Sequence, residues 1–230
     1  MGFHRTALVT GVSAGLGAAL ARGLVERGWR VVGTGRRAEP LERMREELGE
    51  AFVPVVGDVT DAAHRARVAE VAGGAGDLLL VVNNAGWLGP SPLPRLAAFP
   101  LDALEALFRT NVVAPLGIIQ MVLPVLAPGA AVVSISSDAS VEPYPEWGGY
   151  GATKAALDQL SAVLAAEHPD LDVYTFDPGD MRTAMHQDAF PGEDISDRPT
   201  PESVVPALLR LVDERPKSAR YAVSDFAAAR

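Results

Sequence analysis

Cysteine is absent from this 230-residue chain. That excludes a disulfide scaffold, a thiol nucleophile and any cysteine-ligated zinc or iron–sulfur centre. Histidine is sparse, and His4, His64, His168 and His186 are scattered without metal-ligand spacing, so no metal site is expected. Basic residues are outnumbered: 20 Lys plus Arg stand against 29 Asp plus Glu, a formal net charge of −9. Nucleic-acid binding needs a basic footprint on phosphate, and this balance argues against such a partner. An unbroken run of about 20 apolar residues, which a bilayer span requires, is also lacking. The nearest stretch, Val112–Val133, is interrupted by Pro115, Pro124 and Pro128, with Gly129 following the last. It reads as a buried helix ending near Leu126, a turn at Pro128-Gly129 and then a buried strand, with no membrane partner. Met1-Gly2-Phe3-His4-Arg5 runs straight into a strand-like segment, without the charged leader, apolar core and cleavage site of a secretory signal. A cytoplasmic location is the resulting default.

What is present is 48% hydrophobic and 21% charged, a globular balance. Short β-branched apolar runs at Thr6–Thr10, Arg30–Thr34, Phe52–Val56, Leu78–Val82, Ala131–Ile135 and Asp172–Phe176 predict strands, with a weaker one at Arg220–Val223. Between them, helical patterns lie near 15–27, 38–48, 61–73, 101–126, 150–167 and 201–213. Thr60 and Asp61 can cap the third helix; Thr200-Pro201-Glu202 supplies a cap, a first-turn proline and a first-turn acid for the last. Continuous apolar strands alternating with helices imply an α/β protein, a parallel sheet covered on both faces. Segment 180–200 has neither period and is rich in Asp, Glu, Pro and Gly, so it reads as a long loop suited to a lid.

The first strand runs into Thr10-Gly11-Val12-Ser13-Ala14-Gly15-Leu16-Gly17 and then a helix. Glycines at a strand-to-helix turn let backbone approach a pyrophosphate, and the helix N-terminus offers free N–H groups and partial positive charge. The spacing is Gly-x-x-x-Gly-x-Gly, and read alone it is an ordinary tight turn. The second strand ends in Gly33-Thr34-Gly35-Arg36-Arg37. An acid there would accept from an NAD ribose hydroxyl; arginine suits the 2′-phosphate of NADP(H), which is preferred here over NAD(H). Farther along, Tyr150-Gly-Ala-Thr-Lys154 sets a phenol and an ammonium on one helix face. A tyrosine near pKa ~10 is a poor base, and a neighbouring Lys⁺ would lower that value. Ser137, at the end of the Ala131–Ile135 strand, brings a hydroxyl to the sheet edge where ligands bind.

Together these motifs resemble the short-chain dehydrogenase/reductase family, in its short single-domain branch, over about residues 5–215. The matching positions are Thr10-Gly11-x-x-x-Gly15-x-Gly17, Asp58-Val59, Asn83-Asn84-Ala85-Gly86, Asn111, Ser136-Ser137, Tyr150-x-x-x-Lys154, and Pro178-Gly179 with Thr183. The resemblance implies a Rossmann-type doubly wound parallel sheet in three α/β/α layers, one NAD(P)-binding domain over 1–230. It implies a cofactor cradle at Thr10, Gly11, Ser13, Ala14, Gly15, Leu16 and Gly17, with Arg36 and Arg37 beyond. Asp58 and Val59 would hold adenine; Asn83, Ala85 and Gly86 would line the adenosine ribose. Pro178, Gly179, Met181 and Thr183 would surround the nicotinamide carboxamide. Tyr150 would be the proton donor or acceptor, Ser137 would position the substrate oxygen, and Lys154 would bind the nicotinamide ribose and tune Tyr150. Asn111 would hold a water for proton supply.

The implied activity interconverts a carbonyl and an alcohol by hydride transfer. Alternatives are a non-catalytic NADP(H)-sensing or scaffold protein, a lyase or isomerase on the same site, and an epimerase of the larger branch, the last disfavoured by the glycine spacing. Trp87, Ser140, Tyr144, Trp147, Met181, Met185 and His186 are expected at the pocket mouth, where an aromatic wall suits an apolar or aromatic carbonyl compound. Trp147 and Tyr144 serve equally well as packing against a lid or a second subunit. The chain is short for the family at its C-terminal end, and Arg220-Tyr221-Ala222-Val223 replaces a frequent Thr-Gly pair. That departure bears on tetramer contacts; a homodimer through helices 101–126 and 150–167, or a homotetramer, is the family expectation.

Overall fold

A computed structural model describes residues 5–226; His4 and the N-terminal leader reading lie outside them. Seven strands form one sheet: β1 (Arg5–Thr10), β2 (Arg30–Gly35), β3 (Phe52–Val56), β4 (Asp77–Asn83), β5 (Leu126–Ile135), β6 (Asp172–Asp177) and β7 (Ala219–Ala222). The order is β3-β2-β1-β4-β5-β6-β7 and every pairing is parallel. Eight helices accompany it among the described residues: α1 (Gly15–Glu26), α2 (Ala38–Leu48), α3 (Ala62–Gly74), α4 (Leu101–Phe108), α5 (Ala114–Val122), α6 (Gly148–Glu167), α7 (Ala184–Ala189) and α8 (Pro201–Glu214).

Strand periodicity explains the continuous apolar runs. Ala7, Val9, Leu80, Val82, Val133 and Tyr174 point into a core with α1, α2 and α8. The intervening Leu8, Val81, Val132 and Val173 point into a second core with α3, α5 and α6. Each strand is therefore apolar at successive positions because both of its faces are covered. This is a Rossmann-type α/β/α arrangement. Chain order reverses between β1 and β4, so a crevice opens at the carboxyl ends of those strands.

Several local expectations need correction. The helix over 101–126 is not uniform: a π-helical turn, Arg109–Val113, joins α4 to α5. The segment Leu101–Val125 is apolar enough to span a membrane by length and hydropathy. Here it is a core helix, with Leu107, Val112, Ile118, Ile119 and Val122 buried against the sheet side. Pro128-Gly129 does not separate helix from strand; β5 begins at Leu126, and the pair is accommodated as an irregularity between Leu78↔Leu126 and Leu80↔Ala131. The 180–200 segment is not all loop, because α7 lies inside it, capped by the Thr183 hydroxyl on the His186 N–H. Asp61 alone caps α3, through the Ala63 N–H. Thr60 instead donates its hydroxyl to Asp58, while Thr200 makes no side-chain cap and lends its carbonyl to the Ser203 N–H.

Candidate active site

Along the carboxyl edge of the sheet runs one cleft of about 1520 Å³. At one end of it β1 turns into α1, whose N-terminus carries no side-chain cap, leaving first-turn N–H groups for an anion. Gly11, Ser13, Ala14, Gly15 and Leu16 line the cleft there. Gly17 serves close packing instead. A Cβ on it would lie 2.4 Å from Asn84 Nδ2 and 2.5 Å from the Gly11 carbonyl oxygen, so only glycine lets α1 approach its own entry turn. Thr10 is likewise framework. It is 2% exposed, and its hydroxyl oxygen accepts from the Asn84 and Ala85 N–H groups.

The part of the cleft expected to take adenosine contains Arg36, Asp58 and Val59. Burial pushes the Asp58 carboxyl up, but hydrogen bonds from Thr60 and the positive charge of Arg36 outweigh it and hold the group below its usual value. Arg36 is thus near Asp58 with its exposed head over the cleft. Arg37 departs from expectation: it donates to the Ser13 carbonyl at 2.9 Å and braces the glycine turn from behind. Asn83 also departs. It is buried at 3% exposure, its side-chain atoms have no hydrogen-bond partner, and it does not reach the cleft. Its neighbour Asn84 lines the cleft and donates to the Thr10 and Gly11 carbonyls at 2.8 and 3.2 Å. Adjacent asparagines on an extended chain point to opposite faces, and the motif alone does not say which one turns inward.

The other half of the cleft gathers Ser137, Tyr150 and Lys154 with Ala85, Gly86, Pro178, Gly179, Met181 and Thr183. Ser137 follows β5 and starts a 3-10 turn at Asp138–Ser140; its Oγ accepts from the Ala139 N–H and donates to Asp138 Oδ1 at 3.0 Å. The helix bearing Tyr150 and Lys154 can lie against that turn because residue 151 is glycine, where a Cβ would sit 2.4 Å from the Ala139 carbonyl oxygen. Lys154 is 4% exposed, donates to the Ile135 carbonyl at 2.8 Å, and lies 5.4 Å from the Tyr150 ring centroid. Burial lowers its pKa to about 8, against a smaller upward pull from Asp158.

Tyr150 behaves oppositely to the expectation from Tyr-x-x-x-Lys spacing. Burial, then the charges of Asp177 and Asp138, push its phenol well above the ordinary tyrosine range. Lys154 lies over the ring rather than at the hydroxyl and does not offset them. Tyr150 therefore stands protonated at neutral pH.

Asn111 sits in the π-turn, 1% exposed. Its Oδ1 accepts from the Trp87 N–H at 2.9 Å, and its Nδ2 donates to the Trp87 carbonyl and to Thr153 Oγ1. Both amide protons are thus spent on protein, so a water held by this side chain would donate to the second lone pair of Oδ1. A Cβ on Gly86 would be 3.5 Å from Asn111 Oδ1 and 3.8 Å from Lys154 Nζ, so the two side chains flank the same point of the chain. Trp87, Tyr144, Trp147, Met185 and His186 all line the mouth. Ser140 does not: its hydroxyl is buried behind the turn without a partner. Rings run in series from Tyr150 to Trp147 (5.9 Å), Phe190 (6.0 Å) and His186 (4.9 Å). Leu88, Asp138, Asp177 and Phe190 also line the cleft, none of which a motif picks out.

Comparison with known proteins places this architecture. Residues 5–194 match the family model described as short chain dehydrogenase. Serine 3-dehydrogenase of Agrobacterium fabrum is 41% identical over 165 residues, covering 70% of this chain and 65% of that protein, just under two thirds of its length. A benzil reductase ((S)-benzoin forming) of Saccharomyces cerevisiae is 33% identical over 192 residues, 79% of this chain and 73% of that protein. A short chain dehydrogenase of Shigella flexneri, solved with NADP, superposes with a TM-score of 0.89 at 28% identity, covering 96% of this chain and 97% of that one. The chain belongs to the short-chain dehydrogenase family.

Proposed function

We propose that the protein is an NADP(H)-dependent carbonyl reductase or alcohol dehydrogenase working through Ser137, Tyr150 and Lys154. The observation that carries this reading is the continuous cleft that joins an uncapped helix N-terminus beside Arg36 to a buried, protonated phenol backed by a buried lysine. The residues present fit a dinucleotide. Gly11, Ser13, Ala14, Gly15 and Leu16 line one continuous cleft with Gly179, Met181 and Thr183, and a Cβ on Gly15 would already touch the Thr183 methyl, at 3.6 Å. Arg36 is exposed for a 2′-phosphate, and no acid competes at the end of β2. NADP in the Shigella relative supports the same choice.

When bound, the nicotinamide supplies or takes a hydride. The protein's own work is on the substrate oxygen. Tyr150 donates its proton as negative charge grows there, and Ser137 turns its hydroxyl from Asp138 to the same oxygen. The Lys154 ammonium, fixed to the Ile135 carbonyl, keeps positive charge beside the phenol as it becomes phenolate. Trp147, Phe190, Leu88 and Met185 exclude water and favour an apolar or aromatic carbonyl compound; the benzil reductase relative supports that class. The 180–200 segment acts as a lid on a single domain. Exposed Leu101, Val113, Met121 and Val163 on the α4–α5 and α6 surfaces support a homodimer through those helices in the cytoplasm.

The test is a panel of aryl ketones, hydroxyketones and alcohols followed by NADPH or NADP absorbance. Turnover with NADPH above NADH is the expected result. Tight NADPH binding without redox turnover on any member would replace this reading with a sensor. Tyr150→Phe is expected to leave NADPH binding intact and to lower kcat by about 10²–10⁴-fold; near-wild-type turnover would refute the role.

A further inference from the structure

We infer that Arg220, on the edge strand β7, is a positioning residue that holds the catalytic turn and the catalytic helix in one charge-balanced cluster. The inference rests on the proposed redox reading. Arg220 stands where the sequence departs from its family, and it reaches three elements at once. Nη2 donates to the Ser137 carbonyl at 3.1 Å and to Asp177 Oδ2 at 3.0 Å. Nε lies 3.4 Å from Asp158 Oδ2. Ser137 leads out of β5, Asp177 ends β6, and Asp158 lies one helical turn beyond Lys154 on α6. Asp177 in turn accepts the Gly179 N–H at 3.0 Å, which fixes the Pro178-Gly179 turn at the cleft.

The cluster is largely dry. The side chains of Arg220, Asp158 and Asp177 are 29%, 17% and 11% exposed. Neither Asp158 oxygen accepts a hydrogen bond, so that carboxylate depends on charge alone for its partners. The charged groups around Tyr150 and Lys154 are Asp158 on their own helix, Arg220 from β7, Asp177 from β6 and Asp138 from the turn after β5. The π-turn faces them with the neutral Asn111. Signs alternate along Lys154, Asp158, Arg220 and Asp177. Asp158 pulls the lysine up and Asp177 pulls the phenol up. Arg220 sits between the two carboxylates and mutes both. A purely structural arginine would hold Ser137 in place; this one also sets the pH range in which the ammonium persists.

The experiment is the pH profile of ketone reduction for wild type, Arg220→Met, Arg220→Lys and Asp158→Asn, each first checked for NADPH binding. Wild-type turnover itself tests the reductase reading; displacement among the variants tests this inference. The wild-type rate should fall as pH rises through about 8, where Lys154 loses its proton. Arg220→Met releases both carboxylates, so the limb moves up by about half to one pH unit while kcat drops. Asp158→Asn removes the upward pull and moves the limb down. Arg220→Lys retains the charge and the wild-type limb, but one ammonium cannot hold the three oxygens in the same fork, and kcat falls about 5-fold. Should Arg220→Met fail to fold, the other two variants still give distinct signatures: a lowered limb for Asp158→Asn, and an unmoved limb with lowered kcat for Arg220→Lys. Limbs that coincide in all variants, with only kcat lowered, or an Arg220→Met enzyme indistinguishable from wild type, would overturn the inference.

Discussion

Tyr150 and Lys154 share a helix face, yet burial moves their proton equilibria apart: the phenol holds its proton more tightly and the ammonium less so. On the proposed reading reduction needs both protonated, and Lys154 is the first to give way as pH rises. Arg36 allows an independent test at the other end of the cleft. Arg36→Ala is expected to weaken NADPH about 10- to 100-fold and to leave NADH nearly unchanged, read from KM for each cofactor; equal losses for both would remove Arg36 from the 2′-phosphate. At this scale the sequence was legible where motifs spaced far apart in the chain meet, since Ser137, Tyr150, Lys154 and the glycine turn all line one cleft. It was not legible where a choice depends on which way a side chain turns. Asn83 and Asn84 are adjacent and chemically identical, but only Asn84 bonds the β1 turn. Arg220 lies 70 residues from Tyr150, and no local pattern links them; only the β5-β6-β7 pairing does.

Elements were predictable where periodicity is strong: six of the seven strands fall within one residue of their apolar runs, while β5 begins five residues early. The exceptions have local causes. The π-turn at Arg109–Val113 keeps the same apolar spacing as an α-helix over so short a stretch, so composition cannot reveal it. It places Asn111 against Trp87 and Thr153, tying α4–α5 to both the segment after β4 and α6. Asn111→Leu leaves the Trp87 N–H and Thr153 hydroxyl without this partner and should destabilise the fold by about 1–3 kcal/mol, measured by urea unfolding; an unchanged midpoint would show that the π-turn needs no such tie. In the 180–200 segment, α7 is only six residues long and depends on the Thr183 cap, too short for a period to register. The segment is anchored by the ring contact of Phe190 with Trp147 and by Ser91 donating to the Asp188 carbonyl. NADPH should therefore slow proteolytic cleavage within 180–200 severalfold, followed by mass spectrometry of the fragments. Cleavage at the same rate with and without NADPH would remove the lid role.

For the whole molecule, the doubly wound sheet brings residues from the ends of β1 to β6 onto one edge, so a continuous cleft arises from segments spread over most of the chain. The −9 balance and the absence of cysteine bound that cleft's chemistry. Two of its positive charges are placed for the proposed work, Arg36 at one end and Lys154 at the other, and on that proposal the chemistry runs on a hydroxyl, a phenol and an amine. On the proposed reading, hydride reaches a carbonyl carbon in this cleft while Tyr150 delivers the proton, and an isotope label follows the hydride itself. The decisive assay is the product formed from an aryl ketone and NADPH carrying deuterium at the transferable nicotinamide C4 position. The wild type should yield an alcohol with one deuterium on the carbinol carbon, and Tyr150→Phe almost none although that variant still binds NADPH. Alcohol formed without the label, or equal labelled product from both proteins, would show that hydride and proton do not travel by this route.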